Sequence, residues 1–431
     1  MVAAHSYFPN QSRSTLFAMA GDDCSLYFDL DKLTPKQHAD HVSNIELTAM
    51  LQVAHLYMGK PADHVAMFNE FQAEPWQGAL RFYHQCFAQM GTDPVRWEHI
   101  HFHPSNGFYE SVAASPPDVD STTIYLVSGS NEPLHQSERA LAVSRAINSK
   151  MVLARNAAAY DIPVPETLVC KKADLGSASV ADFFARHGEV MLKIMGLAGA
   201  RNVTSVATQA AAAAYLEEYD DSLEIVLQRK LPAAEFTEMT VDLIISDASI
   251  EIANVRRILF ADGLWVGNLI GGSVQVSDAQ REVLLRVGAY ARELGYTDPA
   301  GLNCGIDYFV SPTETLVTEI NARWTGGLFP AEMTKRLNLG DTDVVAFFDT
   351  VTRAGFERYQ QFVAAHLHPR PGQAFANVPI GFSPFPLTLE GQEHLFLWHM
   401  VVGDVEAFKA AKRAALGASD LPTADKLSLV V

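Results

Sequence analysis

Apolar positions fall in two rhythms along the chain. Short runs rich in β-branched and aromatic residues predict strands, and stretches with apolar residues three or four apart predict helices. Residues 14–20 and 25–28 are strand-like, and 34–58 has helical spacing with Thr34 as cap and Pro35 in the first turn. Residues 63–90 predict one or two further helices broken near Pro75, 99–103 a strand with His99, His101 and His103 on one face, and 122–127 another strand. That histidine face is either a transition-metal site or, on better grounds, a polar strand face beside a cleft. A small-residue turn at 128–133 leads into a helix over 134–149. Strand, turn and helix in that order predict an α/β unit over 1–149.

A second unit opens at Lys150, at the start of a short helix, and runs to 345. The strand 189–194 is apolar except for Lys193, and a lysine there is costly unless an anion pairs with it. The loop that follows holds Gly196 and Gly199, and small residues let backbone N–H groups close over phosphates. A helix over 208–219, a strand over 224–227 ending in Gln228, Arg229, Lys230 and Leu231, and a hairpin of strands 240–246 and 249–255 come next. Arg256 and Arg257 follow, either facing a phosphate or carboxylate or solvated. An amphipathic helix over 280–294 ends at Gly295.

The densest chemistry lies at 303–327. Residues 305–310 and 315–320 read as strands joined by the polar turn 311–314. Glu319 and Asn321 are two apart and point to one side, and a hairpin sets Asp307 opposite them. Two carboxylates and an amide oxygen form a hard donor set suited to Mg2+, which completes its shell with waters and phosphates. Arg323 adds a fixed positive fork suited to a phosphate or a developing oxyanion. Thr325, Gly326 and Gly327 can bring bare backbone close to a substrate, and a helix over 329–337 follows.

The order Asp307-x11-Glu319-x-Asn321-x-Arg323-x-x-Gly326-Gly327 resembles the metal-binding core of the ATP-grasp superfamily, which includes carboxylate–amine ligases, D-alanine ligases and biotin carboxylases. The resemblance covers about residues 150–330. It implies an α/β fold with a Rossmann-like N-terminal domain over 1–149, an ATP-grasp core (α+β) over 150–345 and a small C-terminal domain over 346–431. It further implies ATP and Mg2+ as cofactors. Lys150 and Lys193 would meet the phosphates, with Gly196 and Gly199 in the covering flap. Gln228, Arg229 and Leu231 would meet adenine, and Glu235 or Glu238 the ribose. Asp307, Glu319 and Asn321 would hold the metal, with Arg323 and Arg256 stabilising charge. Ala198 and Ala200 stand where the family has glycines, and Gln228 and Arg229 replace its common Glu and Lys. The expected reaction joins a small-molecule carboxylate to an amine; another ATP-grasp phosphotransfer or carboxylation, or a non-catalytic nucleotide-binding module, are the alternatives.

The last segment predicts a helix over 347–366, strands over 377–382 and 394–402, and a helix over 404–416. Its order resembles the end of pheganomycin-type peptide ligases. The formal net charge of −18 argues against nucleic-acid binding. Cys24, Cys86, Cys170 and Cys304 are scattered without a CxxC, so free thiols in a reducing compartment are expected. With no run of 18 apolar residues and no signal-peptide core, a cytoplasmic location is expected, and family habit adds a homodimer.

Overall fold

The computed structural model describes residues 4–9, 12–21, 23–195, 203–261, 264–389 and 391–417. It contains three sheets. The first has five parallel strands: β1 (Ala4–His5), β2 (Thr15–Ala18), β3 (His64–Phe68), β4 (Ile100–His103) and β5 (Ser121–Ile124), in the order β1-β5-β2-β3-β4. The helical pattern over 34–58 is realised as two helices, Pro35–Thr48 and Met50–Met58. Thr34 and Gln37 form the reciprocal cap expected of the first. The second is buried on every side. It lies between the first sheet and the C-terminal strands, so it carries no polar stripe.

Two expectations for this unit fail. Residues 25–28 form no strand; Asp23–Leu26 is a 3-10 turn. Residues 63–90 are not wholly helical, because His64–Phe68 is the parallel strand β3. A strand buried on both faces has no alternation to show, so its apolar run reads as helix.

The second sheet is antiparallel: β6 (Thr167–Lys171), β7 (Val190–Lys193), β8 (Val203–Val206) and β9 (Glu224–Arg229), in the order β6-β9-β7-β8. Helices Ala178–His187 and Gln209–Tyr215 cover it with Val180, Phe183, Phe184 and Ala212. The third sheet has nine antiparallel strands. They are β10 (Thr237–Ile245), β11 (Ile250–Ala261), β12 (Leu264–Ile270), β13 (Leu302–Val310), β14 (Thr315–Asn321), β15 (Val344–Thr352), β16 (Phe375–Phe382), β17 (Leu387–Leu389) and β18 (Gln392–Gly403). Their order is β14-β13-β10-β11-β12-β15-β18-β16, with β17 on β18. The helix Asp278–Glu293, capped by Ser277 and Gln280, lays Val283, Leu284, Val287 and Tyr290 on the β10 side of this sheet.

The boundary expected at 345/346 falls inside β15, and residues 344–403 extend the same sheet that carries the β13–β14 hairpin. The helix expected over 347–366 begins only at Phe356; residues Val344–Thr352 are a strand between β12 and β18. Gly381 on β16 permits the close approach of the buried helix, since a Cβ there would lie 2.4 Å from the Met50 carbonyl oxygen. All four cysteines are free thiols. Among the described residues, no helix is long and apolar enough to cross a membrane.

Candidate active site

β13 and β14 pair with Asp307 directly opposite Glu319 and Gly305 opposite Asn321. The three oxygen-bearing side chains therefore share one face, and Asn321 Nδ2 donates to Asp307 Oδ2 at 2.9 Å. From the start of the helix Lys150–Asn156, Lys150 Nζ reaches Glu319 Oε1 at 2.5 Å. Burial, then the facing Glu319 carboxylate, push Asp307 up to about 6. Burial is the largest influence on Glu319 and opposes its charge, but Lys150, Lys193 and Arg323 together outweigh it and hold Glu319 below the usual carboxylate range. Two opposed carboxylates, one of them reluctant to ionise, are what a cation would relieve. Among the described residues no group of three His, Cys, Asp or Glu could hold a metal ion. The donor set thus depends on the Asn321 amide, as hard-cation sites completed by phosphate oxygens do.

Beside the hairpin is a cleft lined by Lys150, Lys193, Gln228 and Thr167 with apolar walls from Leu153, Val164, Val226 and Val317. Lys193 ends β7, and burial and the neighbouring Lys150 lower it to about 8. Two lysines from different elements thus face one apolar slot, the arrangement expected for an anion with a flat base attached. Gln228 turns its amide nitrogen to Thr167 Oγ1 at 2.9 Å. Glu238 lies near Lys193 and Asp307, and burial, then Asp307, push it up to about 8.

Other expected residues lie elsewhere. Arg229 reaches Glu314 at 3.9 Å, at the turn end of the hairpin away from Asp307. Glu235 is exposed and Leu231 half-buried, and neither lines the cleft. Of the two ribose candidates, Glu238 is the one near the metal hairpin. Gly196 and Gly199 lie outside the described residues. His101 Nε2 lies 2.8 Å from His64 Nδ1, and the His99 ring stacks on His64 at 4.3 Å. His99 Nδ1 lies against the Asp63 carbonyl and His103 Nδ1 against Ser111 Oγ, so the three strand histidines turn to separate partners.

The two arginines separate. Arg256 lies within β11 and not at its exit; it is fully buried and paired with Asp242, with further bonds to Asn254, Thr240 and Thr325. A Cβ on Gly327 would come within 2.2 Å of Arg256 Nε, so the guanidinium packs against the bare backbone of the Gly326–Gly327 loop. Its bonds make it a support for that loop. Arg323 is held at the hairpin: Nη2 donates to Asn321 Oδ1 at 3.0 Å, Nε lies 3.3 Å from Asp23 Oδ1, and the guanidinium sits 4.9 Å above the Tyr125 ring.

Sequence reasoning missed Asp23, Tyr125 and Asp242, and it gave Thr325 a backbone role only, whereas its hydroxyl bonds to Asp242. A signal existed for Asp242: on β10, Glu238, Thr240 and Asp242 alternate with Met239, Val241 and Leu243, which marks a polar face on an interior strand. Asp23 and Tyr125 had none, being some 200 to 300 positions from Arg323.

No family model matches the sequence, and no curated protein does. Solved structures do match. The ADP complex of N5-carboxyaminoimidazole synthetase from Staphylococcus aureus is 10% identical with a TM-score of 0.53, over 94% of this chain and 98% of that one. The ATP complex of carboxyaminoimidazole ribonucleotide synthase from Aspergillus clavatus is 14% identical with a TM-score of 0.53, over 96% and 99%. Phosphoribosylamine–glycine ligase from Thermotoga maritima is 12% identical with a TM-score of 0.52, over 96% and 97%. Near-complete coverage in both directions matches the whole architecture and not one shared motif, and the chain has the ATP-grasp fold.

Proposed function

We propose that the chain is an ATP-dependent, ADP-forming carboxylate–amine ligase that makes an amide or peptide bond on a small molecule. The observation that carries this reading is that Lys150 and Lys193, which line one cleft, stand beside the Asp307, Glu319 and Asn321 face of the hairpin, with Lys150 paired to Glu319. Two structurally similar proteins are solved with ADP or ATP, which supports nucleotide as the occupant.

Lys150 and Lys193 bind the phosphates, and the apolar walls with Gln228 receive the base. Asp307, Glu319 and Asn321 would hold Mg2+, which when bound neutralises and orients phosphate oxygens. Lys150 then exchanges its partner Glu319 for phosphate. A substrate carboxylate oxygen attacks the γ-phosphorus, the bond to the ADP oxygen breaks, and an acyl phosphate results. The amine nitrogen attacks the acyl carbon, the tetrahedral adduct collapses with loss of phosphate, and the amine proton passes to solvent. Arg323 lies where it can stabilise the charge that develops on oxygen.

The test is a pairwise screen of amino acids and other carboxylates against amines, following ADP, phosphate and product mass. The expected result is ADP and phosphate in equal amounts, each requiring both partners, with a product lighter than their sum by one water. A phosphorylated product would indicate a kinase, bicarbonate dependence a carboxylation, and nucleotide binding without turnover a binding module.

A further inference from the structure

The geometry points to Asp23 as a positioning residue that fixes Arg323 so that it offers one N–H to the reacting oxygen. The inference rests on the ligase reading of the site for its chemical meaning, and on the bonding of Arg323 for its content. A guanidinium has five N–H donors. Among the described residues, Nε lies against Asp23 Oδ1 at 3.3 Å, Nη1 donates to the Tyr125 hydroxyl and, at 3.1 Å, to the Trp324 carbonyl, and Nη2 donates to Asn321 Oδ1 at 3.0 Å. Three donors make hydrogen bonds, and the Asp23 carboxylate lies against the Nε side as an ion pair. The second Nη2 donor, on the nitrogen turned toward Asn321 and the β13–β14 hairpin, has no bond among the described residues.

An arginine with an open fork grips a carboxylate through two parallel bonds. Arg323 cannot, so it serves a single oxygen, as a phosphoryl oxygen or a tetrahedral oxyanion requires. The substrate carboxylate must be read by other groups. Asp23 sets this state. It lies just beyond β2, is 6% exposed, and its other oxygen accepts from Asn44 Nδ2 at 3.3 Å. It is therefore anchored by a partner other than Arg323. Without it, the nearest anions open to the guanidinium are Asp307 and Glu319, and pairing there would set Arg323 in competition with a cation. The N-terminal sheet thus supplies both the counter-charge, from the end of β2, and the aromatic platform Tyr125, from the end of β5.

The full-length chain labelled with [15N]arginine reports this directly. The Arg323 Nε–H signal is the one missing in Arg323→Lys. Its exchange with solvent should quicken by about tenfold or more in Asp23→Ala, and less in Asp23→Asn, which keeps the acceptor shape. Affinity for Mg-ADP, measured calorimetrically, should stay within about twofold, which shows that both variants are folded. With a substrate pair from the screen, kcat should fall by about tenfold to a hundredfold while KM for ATP holds, because the lost interaction acts in the transition state. Unchanged exchange in Asp23→Ala, or an unchanged kcat beside quickened exchange, overturns the assignment. If the wild-type chain releases phosphate with no pair, the ligase reading fails while the exchange measurement still decides whether Asp23 holds Arg323.

Discussion

Replacing Asp242 by Asn tests the support role of Arg256 most sharply. Both side chains are fully buried. The carboxylate accepts from Arg256, from Asn303 Nδ2 at 3.0 Å, and from Thr325 Oγ1 at 3.0 and 3.2 Å. Asparagine keeps the shape but leaves the guanidinium with neutral acceptors only, and it turns one accepting oxygen into a donor facing donors. Breaking a buried pair from one side costs about 3 to 5 kcal/mol, because the surviving charge stays desolvated. Asp242→Leu with Arg256→Met removes both charges and should cost less than the sum of its parts, with a coupling of about 2 kcal/mol or more. Urea unfolding followed by tryptophan fluorescence reads this well, since Trp265 packs on Gly326 and Trp324 precedes the loop. An Asp242→Asn variant within about 0.5 kcal/mol of wild type, or a strictly additive double variant, would refute the reasoning.

Three further outcomes are expected. Lys193→Met should weaken Mg-ADP binding by about tenfold to a hundredfold in calorimetry, the value of a charge-assisted bond, and equal affinity would remove Lys193 from the phosphate site. Mn2+ affinity should fall as pH drops through the Asp307 value of about 6, as protons compete. The same raised value means the metal-free folded chain binds this proton more tightly than the unfolded chain. The contribution of Asp307 to stability is thus least favourable above pH 6 and improves as pH falls toward 4, so added metal should raise Tm more at pH 7.5 than at pH 5. Gly305→Ala places a Cβ 2.2 Å from Thr325 Cγ2, and the overpacking should cost about 1 to 3 kcal/mol in the same urea assay.

The hairpin was legible because its physics is local. Runs rich in β-branched and aromatic residues, a polar turn between them and the even spacing of Glu319 and Asn321 suffice to place three oxygens on one face. The cap at Thr34, the helix ending near Gly295 and the lone Lys193 in an apolar strand were legible for the same reason. β3 and the first half of β15 were misread because an apolar run buried on both faces shows no alternation, as in a buried helix. Arg229 and Glu235 were expected from the order of family motifs; the Arg229 side chain turns to Glu314, and Glu235 lies in the exposed turn between β9 and β10.

The chain's own order of residues determined which groups could gather a cation and which strand would offer a lysine to an anion, since periodicity and turn chemistry act over a few positions. Only the tertiary structure decided what the two arginines do. Arg256 became a loop support because β10 and β11 pair so as to bury Asp242 against it, and Arg323 became a directed donor because a separate sheet brings Asp23 and Tyr125 to it. A guanidinium's role is set by which acceptors surround it, and those acceptors come from strands far apart in the chain.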